Sequence, residues 1–335
     1  MRSASRVSMG HAVAMTDGEV PATQDASGRH PSLPQRRPAS PAELGRAVGL
    51  TGYLADEGLA TVAWLAIAMQ RPLMLEGEPG TGKTALAEAL AEAMGAELIR
   101  LQCYEGIDAS QALYDWDFPR QVLHLRTVEA TRVADQSLDV AAVEHSLFDE
   151  RFLLERPILR ALRSPNAVLL VDEIDRADDE FEAFLLEVLS TNAVTVPELG
   201  TIVAEHPPLV VLTSNRTREV HDALKRRCLY HWVDHPGLAR EVEILRTRLP
   251  QVPAALALQV ATAVQRMRDG SAGPAGADLL KPPGVAESLD WARCLLELGR
   301  RELDVETAAA TLGAVCKYRE DAERVRDSLD RLLAG

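Results

Sequence analysis

The stretch Gly77-Glu78-Pro79-Gly80-Thr81-Gly82-Lys83-Thr84 constrains this chain more than any other. It follows a short apolar run, Pro72-Leu73-Met74-Leu75, which reads as a buried strand. Beyond it Leu86 and Leu90 stand four apart among alanines, the spacing of one helical face. Strand, glycine-rich turn and helix are the context in which this pattern becomes a phosphate-binding loop. The glycines let backbone N–H groups converge on phosphate oxygens, and the helix N-terminus adds its partial positive charge behind them. Lys83 is placed to reach the β- and γ-phosphates and the Thr84 hydroxyl to hold Mg2+. The chain is therefore expected to bind a nucleoside triphosphate through the eight residues Gly77 to Thr84.

A second stretch supports the first. Ala167-Val168-Leu169-Leu170-Val171 has the unbroken apolar character of a strand buried on both faces, and Asp172 and Glu173 emerge at its carboxyl end. Ligands of open α/β sheets bind at that end. Asp172 is then a second anchor for the magnesium on Thr84, and Glu173 a general base for an attacking water. The plain alternative is a helix cap with first-turn acids, since Asp175, Asp178 and Asp179 crowd the same place. A further apolar run, Leu209 to Thr213, ends in Ser214-Asn215. There an amide can hold the water or touch the γ-phosphate, with an Asx-turn as the alternative. Lys225-Arg226-Arg227 precedes the last predicted strand, Cys228 to Val233. Such a cluster is badly placed for its own subunit's loop and is better suited to a neighbour's nucleotide.

Residues 1–40 are rich in proline, serine and arginine and read as a disordered tail; 41–237 read as an α/β domain, and 238–335 as a helical lid. Within the α/β part, helices are predicted over Tyr53–Met69, Leu123–Val143 and Glu150–Leu162, and a hairpin around Glu198-Leu199-Gly200. The segment from Gln102 to Phe118, mixing aromatics and carboxylates, either grips a partner or packs back on the domain. Lid helices are expected over Arg240–Arg248, Ala254–Arg268, Glu287–Gly299, Asp304–Leu312 and Ala322–Leu333, with a mobile loop over Gly270–Gly284. The net charge of −14 argues against a protein that coats nucleic acid. Four scattered cysteines indicate no zinc site or disulfide framework. With no apolar stretch long enough to span a membrane and no signal segment, the expected setting is cytoplasmic.

In this order, the phosphate loop, the strand ending in Asp172-Glu173, the strand ending in Asn215, the basic cluster and the helical lid resemble an AAA+ ATPase. Within that superfamily, Leu170-Val171-Asp172-Glu173-Ile174-Asp175-Arg176-Ala177 and the segment from Thr213 to Cys228 resemble the MoxR family. The lid sequence from Lys281 to Glu287 looks like the branch near the accessory ATPase for aerobic carbon monoxide dehydrogenase maturation. The resemblance implies a P-loop NTPase parallel sheet with a small all-helical lid, and hydrolysis of ATP to ADP and phosphate with Mg2+. Its metal ligands would be Thr84 and Asp172, its base Glu173, its first sensor Asn215 and its arginine finger Arg227, with Arg226 the competitor. It implies a homo-oligomer, a hexamer in this family, acting as a chaperone in metal-cofactor maturation. The implied partners are a von Willebrand factor A domain protein and a metalloenzyme client, with nucleic acid unlikely. The chain departs from the family in one place: Trp291 stands near the lid's usual sensor arginine, with Arg293 as a substitute or a solvent-facing residue. The alternative function is a nucleic-acid-directed AAA+ ATPase of helicase or loader type.

Overall fold

A computed structural model of the chain describes residues 38–130, 145–270 and 279–334. The expected tail over residues 1–37, the predicted helix beyond residue 130 and most of the Gly270–Gly284 loop lie outside the described residues. Five strands form one all-parallel sheet: β1 (Leu73–Glu76), β2 (Glu97–Gln102), β5 (Ala167–Asp172), β8 (Leu209–Ser214) and β9 (Leu229–Trp232), in the order β2-β5-β8-β1-β9. Between them in sequence fall β3 (Tyr114–Trp116), β4 (Leu153–Glu155), β6 (Ala193–Val196) and β7 (Gly200–Val203). Alternate residues of the central strands feed opposite cores, as the pleat requires. Leu169, Val171 and Leu212 pack with Ile158, Leu162, Phe181 and Leu185 on one face. Val168, Leu170 and Val211 pack with Leu59, Leu86 and Leu90 on the other. Helices covering both faces explain why β1 and β5 are apolar without alternation.

Local chemistry moves several predicted boundaries. The helix expected from Tyr53 begins at Glu57, because the Asp56 carboxylate accepts from the Leu59 N–H at 2.7 Å and caps it. The predicted helix Glu150–Leu162 is three pieces: a single turn over Glu150–Phe152, then β4, then a helix over Pro157–Arg163. Pro157 disfavours helical geometry at Arg156, and β4 instead pairs antiparallel with β3, Trp116 opposite Leu153. The mixed segment before β3 packs back on the domain, with Ile107, Ala112 and Leu113 in the core. The predicted hairpin forms as β6 and β7 and stands as its own two-stranded sheet.

The lid contains helices over Leu238–Arg248, Ala254–Arg268, Val285–Glu297 and Val305–Thr311. The single terminal helix expected over Ala322–Leu333 divides at Ser328 into Arg319–Asp327 and Leu329–Leu333. Trp291, fully buried, sits in a lid core of Leu245, Val260, Val264, Leu295 and Val325. A buried ion pair braces the lid: Arg268 donates to both oxygens of Glu241 at 2.7 and 2.9 Å, and its Nε donates to Pro283 O at 2.6 Å. Among the described residues, no helix is long and apolar enough to cross a membrane.

Candidate active site

The carboxyl ends of β1, β5, β8 and β9 open into a cavity of about 940 Å³ roofed by the lid. Its walls come from the loop before the first long helix (Tyr53, Leu54), the phosphate loop (Pro79 to Thr84), the hinge (Val233 to Gly237) and the lid helix (Val285, Ala286, Leu289). The size and the mixture of apolar wall with convergent polar groups suit a nucleotide. The late start of the helix at Glu57 leaves Tyr53 and Leu54 in a loop that reaches the cavity.

Lys83 lies in the first turn of its helix and is buried, its Nζ donating to the carbonyls of Gly77 and Glu78 at 2.8 Å each. Burial lowers the pKa of its ammonium, opposed by the charges of Asp175, Glu78, Asp172 and Glu173. Gly77 and Glu78 are absent from the cavity wall and instead hold Lys83 from behind. Only glycine fits at 77, where a Cβ would stand 2.3 Å from Val233 O.

Asp172, buried at the end of β5, takes the Thr84 hydroxyl on Oδ1 at 3.0 Å and the Thr213 hydroxyl on the same oxygen. Arg100 reaches its Oδ2 at 2.5 Å. Glu173 has left-handed backbone geometry, φ 56° and ψ 51°, a strained conformation for a residue with a side chain. Its N–H donates to Thr213 Oγ1 at 2.9 Å, which helps to hold that turn. The Glu173 carboxylate is held on three sides: Asn215 Nδ2 at 3.4 Å, Gln102 Nε2 at 3.2 Å and Arg176 Nε at 2.9 Å. Asp175 is buried and fixes the loop after β8, accepting from the N–H groups of Asn215 (3.2 Å) and Thr217 (2.9 Å). Thr84 and Asp172 thus offer one hydroxyl and one carboxylate. Among the described residues, no three His, Cys, Asp or Glu side chains gather as a metal cage. That donor set fits magnesium, which takes few protein oxygens and completes its shell with phosphate and water.

The lid helix rests on the phosphate loop. Val285 N–H donates to Gly80 O at 3.0 Å, and the Glu287 carboxylate caps its own helix by accepting from Gly284 N–H at 2.9 Å. Arg293, the candidate substitute for a second sensor, does not reach the cavity. Trp291 is core, its Nε1 donating to Thr311 Oγ1 at 2.7 Å, and Arg293 is exposed and paired with Asp290. The lid brings Arg240 and Arg248 to the cavity wall instead. Arg226 and Arg227 are absent from that wall; both are exposed, Arg227 bonding Ser190 Oγ and Arg226 facing Asp222 at 3.8 Å.

Arg100, Gln102, Arg176, Thr213 and His235 escaped the sequence reading. Gln102 carried a usable signal, its place at the carboxyl end of a parallel strand. Thr213 carried the same signal at the end of β8, and Arg176 stands three residues after Glu173; Arg100 and His235 are brought to the site by packing that no local pattern encodes.

With this geometry, residues 72–228 match the family described as AAA domain, dynein-related subfamily. That segment takes in the phosphate loop, Asp172, Glu173, Asn215 and both candidate finger arginines, and is similar to an AAA domain. Curated relatives include the protein YehL of Escherichia coli, 28% identical over 49% of this chain and 41% of its own length. Another is midasin of Giardia intestinalis, 37% identical over 30% of this chain and 2% of its own length. The chain spans less than two thirds of the length of the curated relatives it matches, from 2% to 64%. Among solved structures it is similar to Thermotoga maritima RuvB, described as a Holliday junction branch migration motor. That similarity has a TM-score of 0.40 at 17% identity and covers 83% of this chain and 72% of that one. The expectation that nucleic acid is an unlikely partner does not stand: it rested on net charge, which averages over the whole surface and says nothing of any one groove.

Proposed function

We propose that the chain is the motor subunit of an oligomer that spends ATP, with Mg2+ held by Thr84 and Asp172, on moving a macromolecular substrate. One observation carries this reading: Thr84, Asp172, Glu173 and Asn215 converge through hydrogen bonds at the ends of neighbouring strands beneath a lid that touches the phosphate loop. In it, the loop from Gly77 to Thr84 cradles the phosphates, Lys83 turns from the loop carbonyls to the β- and γ-phosphates, and Glu173 takes a proton from the attacking water. Asn215 positions that water, and Arg227 or Arg226 completes a neighbour's site. Hydrolysis then reaches the substrate through the angle of the lid. A cytoplasmic setting and a hexameric ring belong to the same proposal.

For the substrate we take the nucleic-acid-directed reading, helicase or loader type; the RuvB to which the chain is similar is described as a Holliday junction branch migration motor. The MoxR-type chaperone in metal-cofactor maturation rests on motif resemblance alone. The test is the ATPase rate with and without duplex and four-way-junction DNA across a salt series. Stimulation that falls steeply with salt is expected. A rate indifferent to DNA at low salt would sink the nucleic-acid reading.

A further inference from the structure

The short helix Asp222–Arg227, which carries Arg226 and Arg227, is gripped by residues at both ends of β1, the strand that runs into the phosphate loop. Before the strand, the Arg71 guanidinium donates to the carbonyls of Arg226 (2.9 Å) and Arg227 (3.1 Å) at the helix's end. At the strand's last residue, the Glu76 carboxylate faces Lys225 Nζ at 3.4 Å, and its other oxygen accepts from Tyr230 OH at 3.0 Å. Lys225 also reaches Glu219 at 3.0 Å, and Glu219 pairs with Arg216, the residue after Asn215.

Glu76 is costly where it stands. Its side chain is 3% exposed, and Oε1 has no hydrogen-bond partner among the described residues. A buried carboxylate whose Oε1 has only the long ion pair to Lys225 recovers little of its desolvation cost, so stability alone does not account for it. Its neighbours do: Gly77, the next residue, takes the Lys83 ammonium on its carbonyl, while Val233 N–H at the end of β9 donates to Glu76 O at 2.7 Å.

We propose that Glu76, through Lys225, is a positioning residue that sets the orientation of the Arg226–Arg227 helix according to the state of its own subunit's phosphate loop. It acts on the neighbouring subunit's site and not on its own. The proposal rests on the reading that one of these arginines works on a neighbour's nucleotide.

The test uses full-length protein and two isosteric or near-isosteric changes, Glu76→Gln and Lys225→Met. Each is expected to lower kcat about tenfold to a hundredfold, as a displaced catalytic group does, with KM for ATP within about twofold. Each is also expected to regain activity when mixed with Lys83→Ala protein. That partner's own site is dead, but its finger helix is intact and can serve the variant's sound site. Lys225→Arg should retain most activity. Wild-type kcat in Glu76→Gln would overturn the proposal. So would a loss that mixing does not restore while Arg227→Ala or Arg226→Ala is restored by the same partner, since Glu76 would then serve its own loop. If neither arginine variant is restored, the trans reading fails and takes this proposal with it.

Discussion

Gly284, one residue before the lid helix Val285–Glu297, stands backbone against backbone on Gly80 of the phosphate loop. A Cβ at 284 would lie 2.8 Å from Gly80 Cα and 2.9 Å from its carbonyl oxygen. Contacts of that length involve main chain on both sides, so no side chain can swing aside to relieve them. Gly284→Ala must therefore lift the lid and weaken the Val285 N–H bond to Gly80 O. One disturbed hydrogen bond, about 1 kcal/mol, predicts a loss of ATP affinity of about fivefold to tenfold. Titration with a fluorescent ATP analogue checks this; unchanged affinity would show that the lid contact is incidental.

Glu173 is the only carboxylate in contact with the Asn215 amide at the mouth of the cavity among the described hydrogen bonds. Glu173→Gln keeps the shape and removes the base. Hydrolysis should fall by a factor on the order of 10² to 10⁴ while ATP binding stays within a few-fold of wild type. Single-turnover kinetics with a parallel binding titration separate the two quantities, and turnover near the wild-type rate would remove Glu173 from the role of base.

His235 lies in the hinge with Nδ1 buried and unpartnered among the described residues. Burial first, then the nearby Arg268, pushes its pKa down to about 4, with Asp234 opposing and Lys83 adding a smaller push. An unfolded histidine titrates near 6.5, so between about pH 6.5 and 4 the unfolded chain binds the proton and the folded one does not. Stability should therefore fall as pH drops through that window. His235→Gln should flatten the fall, measured as urea midpoints at pH 4.5 and 7; equal slopes in the two proteins would exclude His235 as a source.

Trp291 fills the lid core and does not line the cavity. Trp291→Ala should cost about 3–5 kcal/mol of lid stability. Trp291→Phe should leave ATP affinity unchanged, because no nucleotide contact is lost. A marked affinity change in the phenylalanine variant, read in the same titration, would show that this position does act on the nucleotide.

Much of the fold was legible because two periodicities were clean. The short unbroken apolar runs at Leu73–Leu75 and Ala167–Val171, one running into a glycine-rich turn and the other into paired acids, fit strands covered on both faces. Leu86 and Leu90, four apart in an alanine-rich stretch of high helix propensity, mark one face of a helix. The helix predicted across Glu150–Leu162 failed on one local cue, Pro157, and one non-local one: β4 finds its partner in β3, some forty residues earlier, and that pairing leaves no local trace. Nucleic acid was set aside too quickly on net charge, which averages over a surface and says nothing of any one groove.

The sequence by itself determined the phosphate loop, the acid pair at 172 and 173, the amide at 215 and the change from α/β to all-helical near Leu238. Each of these is written in contiguous residues whose backbone demands are local. Tertiary structure alone decided what surrounds them. It put Arg100 on Asp172, put Gln102 on Glu173, and seated Gly284 on Gly80. These partners lie far apart in the chain and meet because parallel strands bring their carboxyl ends to one edge and the lid folds back over it. Side-chain contacts across that edge depend on packing in three dimensions, which spacing along the chain does not record.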